Sequence, residues 1–147
     1  MTGPAPIPAP IPVPVDVVEL VLGLLRPLLA ARPEPVLSGI KAGTETGHGQ
    51  HGGPPSLPWL RLTEDGHTWR WPAVQRVVLR LTCWHRTEHD AKAAVGLALA
   101  LLCSLRGTRG LLDAEPIVGP IAAPDPHTRK PLATATVAVR VRTPARS

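Results

Sequence analysis

The chain has 147 residues, 44% of them hydrophobic, and a formal charge of +5 at pH 7. That length suits one domain with a core region of about 110 to 120 residues. A basic balance permits contact with nucleic acid, but no run of basic residues exceeds two, so composition carries no nucleic-acid signature.

Phe and Tyr are absent, so the core must be built from Leu, Val and Ala around four Trp. The 19 prolines and 13 glycines gather at the N-terminus, in residues 43–58 and near 116–131, where they punctuate a fold rather than replace it. The N-terminus has no basic start and its apolar residues alternate with proline, so no signal peptide is expected. Cys83 and Cys103 form no disulfide framework and read as reduced, buried thiols.

Residues 1–14 form a Pro-rich arm. Proline at every second position from Pro4 to Pro14 forbids a helix and removes alternate N–H donors. In an extended chain Ala5, Ile7, Ala9, Ile11 and Val13 share one edge and keep their donors, while the other edge has none. Such an arm can add to the edge of a neighbour's sheet without being paired on its second side, which makes Ile7, Ile11 and Val13 a candidate partner arm. A floppy tail, or polyproline II, which lacks this edge logic, remains the alternative.

Residues 15–143 read as a single α+β domain. Val15 to Ala31 is a first helix, with Val17, Val18, Val21, Leu24, Leu25 and Leu28 on its apolar face. Pro27 removes one helical bond and clashes with the carbonyl of Gly23, so a kink or a break is expected. Val36 to Lys41 is a short strand, followed by a long Gly-rich loop over 42–55. Leu57 to Thr63 is a second strand, and Glu64-Asp65-Gly66 a turn.

A third strand begins after Pro72. Val77, Leu79, Leu81 and Cys83 alternate with Arg76, Val78, Arg80 and Thr82. Thr87 caps a second helix, Ala91 to Leu105, whose first turn carries Glu88 and Asp90. Its apolar run of about 13 residues is short of the roughly 20 needed for a membrane span, so burial on two or three sides is expected. Gly107 and Gly110 end it. Leu111 to Ile121 is extended, 122–131 is a loop, and Leu132 to Thr143 is a clear alternating strand, with 144–147 left as a tail. The order α-β-β-β-α-β-β predicts a mostly antiparallel sheet of about four to five strands, with both helices on one face.

Motifs for chemistry are weak. Residues 47–52 match G-x-G-x-x-G, but Gly53-Pro54-Pro55 follows, and no helix can open there to hold a pyrophosphate. Cys83, His85, His89 and Cys103 lack the compact spacing of a zinc site, and the two histidines read as ordinary surface residues. No nucleophile elbow or paired carboxylates stand out, so no enzyme, no cofactor and no metal are expected. Arg61, Arg76, Arg80, Arg140 and Arg142 fall on the polar faces of their strands. On a shared sheet they would make an arginine field, either solvated or set against a neighbour's carboxylates.

The helix Asp16–Ala31, the strand Val74–Trp84 running into Thr87–Leu105, and Asp125-Pro126-His127-Thr128-Arg129-Lys130 before the strand Leu132–Thr143 together resemble the tail terminator (tail completion) proteins of long-tailed bacteriophages. The resemblance covers about residues 15–143 and rests on arrangement rather than on an invariant motif. It implies a non-enzymatic virion protein at the tail–neck junction, assembled in the host cytoplasm. Its partners would be copies of itself in a hexameric ring, the tail tube protein and a head-completion or connector protein. DNA would pass through the ring, and no membrane would be involved. It also makes Glu45, His48 and His51 a candidate tube-contact loop, and the five arginines candidate subunit or channel contacts. The Pro-rich arm and the missing Tyr and Phe depart from the family. Another phage neck component, a small basic nucleic-acid-binding module and a metal-dependent enzyme using the histidines are the alternatives.

Overall fold

The structure, a computed structural model, describes residues 3, 9–45, 49 and 52–146. Ile7, His48 and His51 lie outside these residues. The fold is α+β. Its elements are β1 (Ile11–Pro12), α1 (Val17–Ala31), a 3-10 turn (Pro35–Leu37), β2 (Lys41–Gly43), β3 (Trp59–Arg70), β4 (Val74–Trp84), α2 (Glu88–Cys103), β5 (Leu111–Pro124), β6 (Pro131–Arg142) and β7 (Ala145–Arg146). A five-stranded sheet has the order β2-β3-β4-β6-β5, antiparallel except for the β2–β3 pair.

Period-two patterning decides which face is covered. Leu60 and Leu62 of β3, Val77, Leu79, Leu81 and Cys83 of β4, and Ala133, Ala135, Val137, Val139 and Val141 of β6 all lie on one side and are buried. Helix α2 packs over β4, β6 and β5, while α1 lies against β2, β3 and α2. α2 buries Ala91, Ala94, Val95, Ala98, Leu99 and Leu102 and leaves Lys92 and Ala100 exposed. Its small residues let it sit close to the sheet: a Cβ on Gly96 would stand 3.6 Å from the Pro120 ring of β5. Thr87 Oγ1 accepts from Asp90 N at 3.0 Å, as the capping reading requires.

Several expectations are corrected. α1 runs unbroken through Pro27. Pro27 and Gly23 both lie on the exposed side, where water can serve the freed carbonyl, while Val21, Leu22, Leu25 and Leu29 hold the helix to the core. The strand expected at 36–41 is a 3-10 turn, and β2 starts only at Lys41. Pro35 favours the helical start, and no strand pairs with these residues. The turn expected at Glu64-Asp65-Gly66 is a bulge inside β3: Glu64 pairs with Leu79 and Gly66 with Val78, leaving Asp65 extra. The β3–β4 hairpin turns instead at 71–73, where Ala73 N donates to Arg70 O at 3.1 Å.

Arg109 at φ 51° stands between Gly107 at 67° and Gly110 at 86°, a left-handed reversal that carries α2 into β5. The base of the arm also differs from the expectation. Ile11–Pro12 pairs antiparallel with Ala145–Arg146 of the same chain, and Val13 N donates to Pro144 O at 3.0 Å. Over this stretch the edge that keeps its donors is met by the chain's own C-terminal end, not by a neighbour, and Ile11 remains 61% exposed.

Candidate interaction surface

The sheet face opposite the helices is open, and all five arginines fall on it. Arg76 stands opposite Arg140, Arg80 opposite Thr136 and Thr63, and Arg61 opposite Thr82. The field is partly neutralised. The bulge residue Asp65 meets Arg80 at 3.0 Å, and Asp113 of β5 takes Arg140 through two bonds, Nε to Oδ1 at 2.9 Å and a shorter one from Nη2. Arg140 holds the Asp113 carboxyl below its usual range, chiefly by hydrogen bonding. Both pairs are more than a third exposed on the arginine side, so each adds little stability. Arg76 and Arg142 are exposed.

Arg61 is different. Its guanidinium lies 5.0 Å from the centre of the Trp84 ring, at the diagonal position across the strand pair. Its Nε is closed off from solvent and has no hydrogen-bond partner among the described residues. Trp84 is itself fixed, because its indole Nε1 donates to Asp125 Oδ2 at 2.8 Å. Asp125 Oδ1 accepts from His127 N at 2.8 Å, and its backbone closes a tight turn with Arg129 and Lys130. Burial tends to raise the Asp125 carboxyl, but donors from Trp84, His127 and Thr128 outweigh it and hold the group below the usual carboxylate range. Trp84, the 125–128 turn, Arg61, Arg80, Thr82 and Thr134 enclose a cleft of about 410 Å³, with Gly52 and Gly53 on its rim.

A second surface is the β5 edge. Bulges around Pro116, Val118 and Ile121 disturb its register with β6, and Ile117, Val118 and Ile121 are 49%, 41% and 56% exposed. On the opposite side of the sheet β2 pairs only with Trp59, Leu60 and Arg61, so β3 beyond Arg61 has no outer strand among the described residues.

Of the loop candidates, Glu45 is described: it is exposed, and its carbonyl accepts from Trp59 Nε1 at 2.8 Å. The histidine reading needs correction. His85 is buried, Arg86 N donates to its Nδ1 at 2.8 Å, and its Nε2 therefore donates to Val36 O at 2.8 Å. It ties β4 to the 3-10 turn. Cys83 is buried and its thiol is pushed up to about 12 by burial, whereas Cys103, expected buried, is only half-buried. Burial, then the charge of Glu115, raises the Cys103 thiol as well. Among the described residues no group of three or more His, Cys, Asp or Glu could hold a metal ion, and no helix is long and apolar enough to cross a membrane.

Sequence reasoning placed the arginines on one face but missed the cleft. The signal available was Asp125-Pro126-His127, an Asx-turn pattern ahead of a strand, together with an indole at Trp84 on the polar side of a period-two run. No protein-family model matches the chain, and no curated protein matches it.

Proposed function

We propose that the protein is a tail terminator of a long-tailed bacteriophage, a structural and non-enzymatic protein. In this reading copies of the chain form a hexameric ring that caps the tail tube, ends its growth and joins the tail to the head connector. The ring sits at the tail–neck junction of the virion, is assembled in the host cytoplasm, and lets DNA through.

The observation that carries the reading is the β5 edge. A 14-residue edge strand that exposes Ile117, Val118 and Ile121 is an association surface unless something covers it. The other side of the sheet offers the uncovered outer edge of β3. Two different surfaces on opposite sides of one sheet suit a head-to-tail contact, which closes into a ring when the rotation allows. The prolines at 116, 120 and 124 limit simple strand addition, so side-chain packing would carry the contact. The arginine face suits carboxylates of a neighbouring protein better than a duplex, because Asp65 and Asp113 already engage two of its five cations.

Negative-stain imaging of the purified protein, alone and with tubes of its cognate tail tube protein, tests this. Rings with a central hole that cap tube ends are expected. Single particles that leave tubes uncapped would remove the reading.

A further inference from the structure

Arg61 sits opposite Thr82, so its two diagonal neighbours on β4 are Trp84 and Arg80. Both cations therefore line the cleft, and among the described residues no acid pairs with Arg61. Asp65 engages Arg80 from β3's bulge. Asp125, the one carboxylate among the described residues lining the cleft, spends both oxygens on Trp84 and the His127 amide. The Arg61 guanidinium makes no hydrogen bond to any described residue, and of its nitrogens only Nε is shut from solvent, so the terminal nitrogens are open to the cleft. The Arg61 guanidinium lies over the Trp84 ring, and the indole is itself anchored by Asp125. Thr82 and Thr134, paired across β4 and β6, also line the cleft. This is a preorganised fork with an open donor edge, the geometry that recognises a planar two-oxygen anion.

We propose that this cleft is a binding site for a carboxylate, seated between Arg61 and Arg80 and presented either by a small free acid or by an acidic side chain of a polypeptide. A carboxylate fits better than a phosphate. Asp65 already engages Arg80 and the Asp125 charge borders the site, so two cations face two carboxylates and no surplus positive charge is left to hold a dianion. A planar monoanion asks for less charge than a phosphate dianion and matches the planar guanidinium. The inference stands apart from the ring reading, since it concerns the cleft of a single chain.

The test is a titration of the full chain, followed by the Arg61 Nε–Hε signal in nitrogen–proton correlation spectra. That proton is shielded from water and neighbours the bound group. The probes are glutarate, a capped tri-glutamate peptide and inorganic phosphate at equal ionic strength. Saturable shifts are expected with glutarate or the peptide, and weaker ones with phosphate. Tighter binding of the peptide assigns the carboxylate to a polypeptide, and equal or tighter binding of glutarate assigns it to a free acid. Arg61→Met should weaken binding by about tenfold or more, and Arg80→Gln by less. Arg61→Lys keeps charge and stem but not the fork, and should weaken it nearly as much as Arg61→Met, which guards against a folding defect in the latter. No saturable shift at millimolar carboxylate, phosphate as the tightest ligand, or undiminished binding by both Arg61 variants would overturn the proposal.

Discussion

Replacing Gln75 by Ala should loosen the root of the arm and cost much of the domain's margin. Gln75 is wholly buried at the start of β4, and its amide meets Val15 on both backbone groups. Val15 N donates to Oε1 at 2.8 Å and Nε2 donates to Val15 O at 3.1 Å, which fixes the orientation of the amide. The same Nε2 reaches His67 Nε2 at 3.1 Å, so that nitrogen accepts and the ring proton lies on Nδ1, 3.6 Å from Glu64. Thr143 Oγ1 adds a weak bond to Oε1 at 3.4 Å. One side chain thus joins the start of α1, the β3 hairpin and the end of β6. Each bond contributes about 1 kcal/mol net, and removing the side chain opens a cavity as well, while half-buried Val15 recovers part of its loss to water. The sum is about 2–4 kcal/mol, or a fall in Tm of roughly 5–15 °C for a chain of this size. Urea and thermal unfolding measure the global cost, and hydrogen exchange at the Val13 and Val15 amides measures the local one. Gln75→Glu can accept from Val15 N but cannot donate to Val15 O while ionised, so it should be at least as damaging at neutral pH and recover in acid. A cost below about 0.5 kcal/mol with unchanged exchange would show that the amide clamp is not what holds the arm root.

Three further outcomes are expected. Leu102→Asp, at a fully buried position of α2, should abolish soluble expression, because an unpaired buried charge costs several kcal/mol, and folded soluble protein would mean that the α2 packing is wrongly described. Asp125→Asn should destabilise the chain by about 1–3 kcal/mol at pH 7 through the Trp84 bond. The folded-state pKa of Asp125 is depressed, so its contribution is present above the ordinary Asp range and lost as pH falls through the lower folded value. Urea unfolding should therefore show the gap between native and variant closing below about pH 4. Reversing Arg80 and Arg140 to Glu together should leave the circular dichroism of the single chain intact, since both ion pairs are exposed, but spoil assembly; normal rings at physiological salt would make these arginines a solvated face.

The sheet was legible because its strands obey simple parity. In β4 every second residue is apolar from Val77 to Cys83, and in β6 from Ala133 to Val141, which fixes the face, the register and the placement of Arg76, Arg80, Arg140 and Arg142. Thr87 and the run behind it gave α2 in the same way. The misses have local causes. Glu64-Asp65-Gly66 has turn chemistry, yet the strand continues because Gly66 tolerates the bulge and pairs with Val78. Pro27 was expected to disturb α1, but tertiary contacts at Leu25 and Leu29 outweigh one lost bond on the solvent side. The cleft was invisible because Trp84 and Asp125 are 41 positions apart, and only the β4–β6 pairing brings them together. Gln75 and His85 show the same limit. A buried polar side chain is justified by partners such as Val15 and Val36, which no local pattern names.

In the proposed assembly, copies of this chain close into a ring. Light scattering on the size-separated protein across a wide concentration range tests it most directly. A species of six times the 15.6 kDa of one chain is expected, stable to dilution and lost when Ile117 and Ile121 are both replaced by Lys at the β5 edge. A single-chain mass at every concentration, with no change on that replacement, would contradict it.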